Sequence, residues 1–312
     1  MLNNISLIIP TYKRNKYLLE IVKILNKQKL FNSLFEIIVI DSSKNNLLKY
    51  LKLRNTRYLN VLQNSNALKR NIGIKSAKFK NIIFLDDDCM PSKTFLKDYK
   101  NIFKNLNYRE IICGSVIYDQ KDIIKYDYLK FREKNHFLIT KSLFNKKNFF
   151  LDSSKIVTMN MGLKLDSGRY PFFNKKFKNY GFEDYEFGYR YLKYGYKFLA
   201  AYPLVTHKEE RSYVNYLNKF YFLGNKGCKI FSGINFSAYE SSRYYKLEKI
   251  LLIFKKNKFF IYLINALFRF SIFLFNLKFF KNKYLFKFTV ILAFTNGVLD
   301  RFNNENKQLV WY

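Results

Sequence analysis

Three short apolar runs, each stopped by a polar or acidic residue, limit what this chain can fold into. Ile5-Ser6-Leu7-Ile8-Ile9 ends at Pro10-Thr11, Phe35–Ile40 ends at Asp41, and Asn81–Leu85 ends at Asp86-Asp87-Asp88. Runs this short and this rich in β-branched residues read as strands buried on both faces. Between them the spacing becomes helical: Leu18, Leu19, Val22 and Leu25 share one helix face, and Asn66–Lys78 reads as a second helix. Strands alternating with helices imply βαβ units and a mainly parallel sheet, an α/β fold. Ligands of such sheets bind beyond the carboxyl ends of the strands. Here those ends assemble one polar rim from Pro10, Thr11, Asp41 and the acidic triplet.

Further strands are expected at Tyr58–Leu62, Ile111–Tyr118 and Tyr196–Tyr202, the last ending near Pro203, with a helix over Phe182–Tyr194. The polar stretch carrying Leu47, Leu48 and Leu51, and the irregular residues 120–155, are left unassigned. From about residue 240 the texture changes to Phe, Leu, Ile and Lys. Residues 1–215 are therefore expected to form the α/β domain, and 216–312 a basic, aromatic, helical extension.

Composition narrows the function classes. The 312 residues hold 56 Lys and Arg against 23 Asp and Glu, for a net charge of +33, with 34 Phe and 26 Tyr. So many aromatics exclude a disordered polycation. The charge fits an anionic partner (nucleic acid, anionic lipid or a phosphorylated substrate) or a compositional bias toward Lys, Asn, Ile, Phe and Tyr. The chain has no recognisable nucleic-acid-binding signature, and three acids at a strand end would repel phosphate unless a metal intervened. No nucleic-acid partner is therefore expected, although a basic nucleic-acid-binding protein or a catalytically silent scaffold are the alternatives to an enzyme. No GxGxxG, P-loop or GxSxG pattern occurs. Cys89, Cys113 and Cys228 form no CxxC pair and read as small buried hydrophobes, which suits the cytosolic side of a membrane. The first apolar run is too short for a signal peptide.

Asp86-Asp87-Asp88 is the sharpest chemical feature. Adjacent carboxylates repel, and oxygen ligands of this kind suit Mg²⁺ or Mn²⁺ holding substrate phosphates. On an extended segment Asp86 and Asp88 would share a side. The plainer reading is a solvated acidic turn. Glu183-Asp184 starts the helix expected at 182–194, where acids favour the helix dipole. A carboxylate beside another can also serve as a general base. His207, after a strand, is either a partly buried histidine or a metal ligand. Arg14, Lys69 and Arg70 are cations near the same rim.

The ordered set Ile8-Ile9-Pro10-Thr11-Tyr12-Lys13-Arg14, Ile38–Ser43, Arg70-Asn71-Ile72-Gly73, Phe84–Pro91 and Gly181–Arg190 resembles the family 2 glycosyltransferases of GT-A fold. It is especially similar to their chondroitin-polymerase and galactosyltransferase-like branch, over roughly 1–210. The resemblance implies a metal-dependent, inverting enzyme that moves a sugar from a nucleotide diphosphate, usually a UDP-sugar, to a hydroxyl of a glycan or lipid-linked acceptor, as in cell-surface polysaccharide synthesis. It implies that Asp41 reads the base, that Pro10, Thr11 and Arg14 line the same pocket, and that Arg70, Asp86 and Asp87 serve the donor. It further implies that Asp88, with Asp86 and His207, holds Mn²⁺ or Mg²⁺. Asp184 would be the general base and Glu183 would hold the acceptor sugar. Asp41 is followed by Ser42-Ser43, where many relatives carry a second acid.

The tail is read separately. Residues 241–312 contain thirteen Lys and Arg and three acids. Along the apolar run Phe259–Phe280 and the residue before it, at about 100° per residue, Lys258, Asn265, Arg269 and Asn276 form a stripe, which Lys283 and Lys287 would extend on a continuous helix. Lys278 also interrupts the apolar run. An amphipathic helix packed on the domain, one lying on an anionic membrane surface, and a membrane span all fit this pattern. The expected location is cytoplasmic, peripheral at the inner face of the cell membrane.

Overall fold

The structure, a computed structural model, describes residues 4–30, 33–44, 53–166, 171–178, 181–208, 212–277 and 281–303. Leu47, Leu48, Leu51 and Lys278 lie outside the described residues. Contacts divide the chain into two compact units, 1–119 with 136–209, and 120–135 with 210–312.

The first unit is built on one eight-stranded sheet. Its strands are β1 (Ile5–Thr11), β2 (Phe35–Asp41), β3 (Thr56–Asn60), β4 (Asn81–Leu85), β5 (Cys89–Pro91), β6 (Glu110–Tyr118), β7 (Asn160–Lys164) and β8 (Lys197–His207). They lie in the order β3-β2-β1-β4-β7-β6-β8-β5. The β3-β2-β1-β4 half and the β6–β8 pair are parallel, while β7 and β5 pair antiparallel with their neighbours. The expected mainly parallel α/β sheet is thus present.

Helices cover both faces. Ile5, Leu7 and Ile9 point to one face, where they pack with Leu18, Ile21 and Leu25 of α1 (Asn15–Asn26) and Phe95, Tyr99 and Phe103 of α3 (Phe95–Phe103). The other face takes α2 (Asn66–Ser76) and α7 (Glu183–Lys193). Gly73 lets α2 approach β1, since a Cβ there would lie 2.3 Å from Ile8 Cγ2. Phe173 stacks on Phe187 of α7 and meets Phe84 of β4 edge-on. Pro10 is tolerated in a central strand because β1 outruns its pairing with β4, which stops at Ile8.

Several boundaries differ from the sequence reading. β3 begins two residues earlier than expected. β8 runs through Pro203 to His207, because a register shift between Gly114 and Ser115 absorbs Tyr202 and Pro203. Asn160 Nδ2 then donates to the carbonyls of Ser115 and Pro203 at 3.1 and 2.9 Å. β5 and β7 were not expected. The unassigned 120–155 contains α4 (Gln120–Lys125), α5 (Leu129–Glu133) and α6 (Lys141–Lys146).

The second unit is helical: α4 and α5 join α8 (Tyr213–Phe222), a π-helical turn at Leu223–Gly227, α9 (Cys228–Ile234), α10 (Phe236–Glu240), α11 (Arg243–Phe254), α12 (Lys258–Asn276) and α13 (Lys283–Phe302). Tyr128 packs against Tyr213, Tyr216 and Phe286, and Asp127 pairs with Lys281, which ties 120–135 to this unit rather than to the sheet. The boundary at 215 expected from sequence falls inside α8. α12 ends at Asn276 and a new helix starts at Lys283, so the polar stripe does not continue through Lys283 and Lys287 on one helix. Cys89, Cys113 and Cys228 are all buried and free.

Candidate active site

The carboxyl ends of β1, β2 and β4 lie side by side, as parallel pairing requires. Thr11 is registered against Asp41. Beyond Leu85 the chain turns at once, with the Cys89 N–H donating to the Asp86 carbonyl at 3.1 Å. Residues 86–88 are therefore a turn and not an extended segment, and alternation does not set their directions. Each acid instead has its own partner. Arg70 Nη2 donates to Asp86 Oδ1 at 2.9 Å. Thr11 Oγ1 donates to Asp87 Oδ2 at 2.6 Å, and Arg14 Nη1 donates to Asp87 Oδ1 at 3.2 Å. Arg14 also pairs with Asp88, and His207 Nε2 lies 3.4 Å from Asp88 Oδ1.

The electrostatics follow from that geometry. Burial raises the carboxyls of Asp86 and Asp87, that of Asp87 to about 6, and the neighbouring charge of Asp88 adds to both. Burial pushes Asp88 in the same direction, but His207 and Arg14 outweigh it and hold Asp88 well below the usual carboxylate range. Burial lowers the Lys69 ammonium to about 8 despite the nearby charges of Asp41 and Asp87. Its Nζ donates to the Thr11 carbonyl at 2.7 Å and to Asn64 Oδ1 at 2.8 Å. Asp41 is fully buried; Ser43 donates to its Oδ1 from N–H and Oγ at 2.9 and 2.8 Å, and Tyr58 donates to Oδ2.

The start of α7 approaches from the other side. Phe182, at φ 66°, and Gly181, at φ 117°, take left-handed backbone just before the helix. Asp184 then accepts from the Thr158 N–H at 3.1 Å and from Thr158 Oγ1 at 2.7 Å. Arg70 Nη1 lies 3.6 Å from Asp184 Oδ1, so one guanidinium joins the α7 acid to the β4 acid. Arg70 is 2% exposed, its Cζ lies 5.3 Å from the Phe173 ring centroid, and its Nε and Nη1 make no hydrogen bond among the described residues. Glu183 is turned inward, with its Oε2 accepting from the Gly181 N–H at 3.0 Å. Burial, then the charge of Asp184, raises the Glu183 carboxyl to about 7. Of the two adjacent acids, Asp184 is the accessible one, with 30% of its side chain exposed.

The structure brings together the 86–88 turn, Asp184 of α7 and His207: Arg70 lies against both Asp86 and Asp184, and His207 lies against Asp88. Pro10 lies in β1 opposite Ile40 and positions Thr11. Ligand atoms of Asp88, Cys89 and His207 lie within 4.8 Å of one another. A carboxylate oxygen beside an imidazole nitrogen is a donor set suited to Mn²⁺ or a similar divalent ion. Cys89 completes that cluster where Asp86 had been expected, because Asp86 is taken up by Arg70. Thr158, Tyr58 and Cys89 were not foreseen. Thr158 lies in a segment without periodicity, so no local signal marks it.

The family described as glycosyltransferase like family 2 matches residues 6–239. The chain belongs to that family. Its GT-A-type α/β sheet, with the acidic turn after β4, is the architecture the sequence motifs implied. The chain is similar to the chondroitin synthase of Escherichia coli, at 24% identity over 244 residues, covering 67% of this chain and 35% of that protein. It is also similar to the poly(ribitol-phosphate) β-N-acetylglucosaminyltransferase TarS of Staphylococcus aureus, at 36% identity over 100 residues, covering 30% of this chain and 18% of that protein. Among solved structures, TarS 1–349 in complex with UDP aligns with a TM-score of 0.49 and 16% identity, covering 96% of this chain and 90% of that one. The chain spans only 35% and 18% of the lengths of the two curated relatives.

Proposed function

We propose that this family 2 glycosyltransferase transfers a sugar, with inversion, from a nucleotide diphosphate to a hydroxyl of a glycan or lipid-linked acceptor. The observation that carries the reading is Arg70. A buried guanidinium with two unfilled donor nitrogens, between Asp86 and Asp184, is prepared to receive an anionic ligand. A diphosphate leaving group has that chemistry. The Asp41, Ser43 and Tyr58 cluster borders the same rim and is assigned to the nucleoside, a uridine in this reading. The family 2 match and the chondroitin synthase and N-acetylglucosaminyltransferase names of the relatives support transfer of a sugar from an activated donor.

Each residue then has a task. Arg70 and Lys69 neutralise charge that develops on the departing diphosphate. Asp88 and His207 are the residues that would hold Mn²⁺ or Mg²⁺, with Asp86 and Asp87 fixed behind them by Arg70, Thr11 and Arg14. A divalent ion held there would supply Lewis-acid stabilisation of the diphosphate. Asp184 is the general base: Thr158 fixes its carboxylate, and it takes the proton of the attacking acceptor hydroxyl. Attack on the anomeric carbon from the face opposite the diphosphate inverts its configuration. Glu183 lies behind Asp184 and, buried against the Gly181 backbone, sets the start of α7. In this reading it positions the acceptor side through Asp184.

A donor screen tests the proposal. With Mn²⁺ present, the protein is expected to turn over one UDP-sugar in preference to other nucleotide sugars, and Asp184→Asn is expected to slow that turnover by about 10²–10⁴-fold. Absence of turnover for every nucleotide sugar, or an Asp184→Asn variant as fast as wild type, contradicts it.

A further inference from the structure

We propose that α12 is an in-plane docking helix for an anionic lipid surface, a role independent of the transfer chemistry. α12 is long and apolar enough to cross a membrane, yet it is apolar on two opposite sides. One side is built into the second unit: Phe268, Ser271 and Phe275 are buried, and Phe268 packs with Leu217, Leu292 and Ala293 of α8 and α13. The opposite side is open. Phe259, Tyr262, Leu263, Phe270 and Phe273 are 78%, 81%, 42%, 56% and 58% exposed. At about 100° per residue these five fall within an arc of roughly 100°, a continuous aromatic and aliphatic strip along the helix. Exposed apolar strips of this size on a soluble surface mark a docking face.

Charge identifies the occupant. From Arg243 to Phe302 the only acids are Glu248 and Asp300. Both are turned to protein partners: Glu248 pairs with Arg301 at 2.7 Å, and Asp300 accepts from Tyr221 Oη at 2.7 Å. The cations stand outward. Lys255, Lys256 and Lys258 are exposed at the start of α12, and Arg269 is exposed beside the apolar strip. Lys283 and Lys287 are exposed on α13 beside Tyr284 and Phe288. An apolar strip bordered by basic side chains with no exposed acid among them fits an acyl boundary beneath anionic headgroups, as the cytoplasmic face of a membrane presents. The packed opposite side and the charged Arg269 within the helix favour lying in the surface over crossing it.

The test is co-sedimentation of the full chain with vesicles of phosphatidylcholine alone and of an equal mixture of phosphatidylcholine and phosphatidylglycerol. Wild type is expected to bind the anionic vesicles, to be released by high salt or alkaline carbonate, and to ignore the neutral ones. The triple variant Phe259→Ser, Phe270→Ser, Phe273→Ser and the triple variant Lys255→Glu, Lys256→Glu, Lys258→Glu are each expected to bind at least about tenfold more weakly. Both should keep wild-type melting and wild-type transfer in detergent. Equal binding to neutral vesicles, retention after carbonate, or undiminished binding by both variants overturns the proposal. So does tighter binding to an oligonucleotide than to vesicles, or a dimer without vesicle affinity that the Phe variant dissolves.

Discussion

Around the β4 turn, Arg14, Lys69 and Arg70 lie among Asp41, Asp86, Asp87, Asp88 and Asp184; Lys69, Arg70, Asp41, Asp87 and Asp88 are buried and the other three are partly exposed. On α11–α13 the cations are exposed, apart from Arg301, which pairs with Glu248, and the two acids are turned inward. The comparison shows that one composition, strongly basic throughout, carries two kinds of information. Where cations are buried against carboxylates, they fix geometry and shift protonation. Where they are solvated beside apolar surface, they act collectively and through salt-dependent attraction. Net charge alone separates neither region from the other; burial does.

Substitutions at the rim should therefore have large, local effects. Asp184→Asn is expected to slow transfer by about 10²–10⁴-fold in steady-state assays, the contribution of a positioned base. Arg70→Met leaves the half-buried Asp86 without its cation and should cost about 3 kcal/mol in denaturant unfolding. A cost near zero would mean that Arg70 does not organise the rim. Glu183→Gln sharpens the point through pH. A carboxyl raised to about 7 from its ordinary 4.5 favours the folded state in its protonated form. The benefit is present below the ordinary value and is lost as pH rises through about 7. The melting temperature of Glu183→Gln should therefore gain on wild type between about pH 5 and pH 8, by roughly 2–3 kcal/mol in stability. A gap independent of pH refutes the buried placement. Thr158→Val removes one hydrogen bond to the Asp184 carboxylate, worth about 1.5 kcal/mol, and should lower kcat about tenfold with KM little changed. Smallest of all, Lys256→Glu on the exposed start of α12 should change stability by less than about 0.5 kcal/mol and leave transfer intact.

The sequence made the first half of the sheet legible because β1, β2 and β4 are central strands, and central parallel strands read as apolar runs whose ends are abrupt. Asp41 and the 86–88 triplet were visible for the same reason: they stop those runs. β7 and β5 were not visible. Each is inserted antiparallel by tertiary pairing, and five or three residues carry too little pattern of their own. Asp86 and Asp88 do not share a side as strand alternation would require, because the chain turns immediately after Leu85. Thr158 escaped because its role arises only where the segment before β7 meets the start of α7. In the tail, the amphipathic stripe was readable, but the end of α12 at Asn276 and the separate start of α13 at Lys283 were not, and neither was the attachment of 120–135, which rests on aromatic packing around Tyr128.

The central claim is that the 86–88 turn and the α7 acids are the donor side and the acceptor side of one site joined by Arg70. Titration of UDP with Mn²⁺ into Asp88→Asn and Asp184→Asn, each compared with wild type, tests it most directly. Asp88→Asn is expected to lose nucleotide affinity by at least about tenfold, while Asp184→Asn is expected to bind as wild type yet transfer about 10²–10⁴-fold more slowly. Equal nucleotide affinity in both variants, or lost affinity in Asp184→Asn alone, would contradict it.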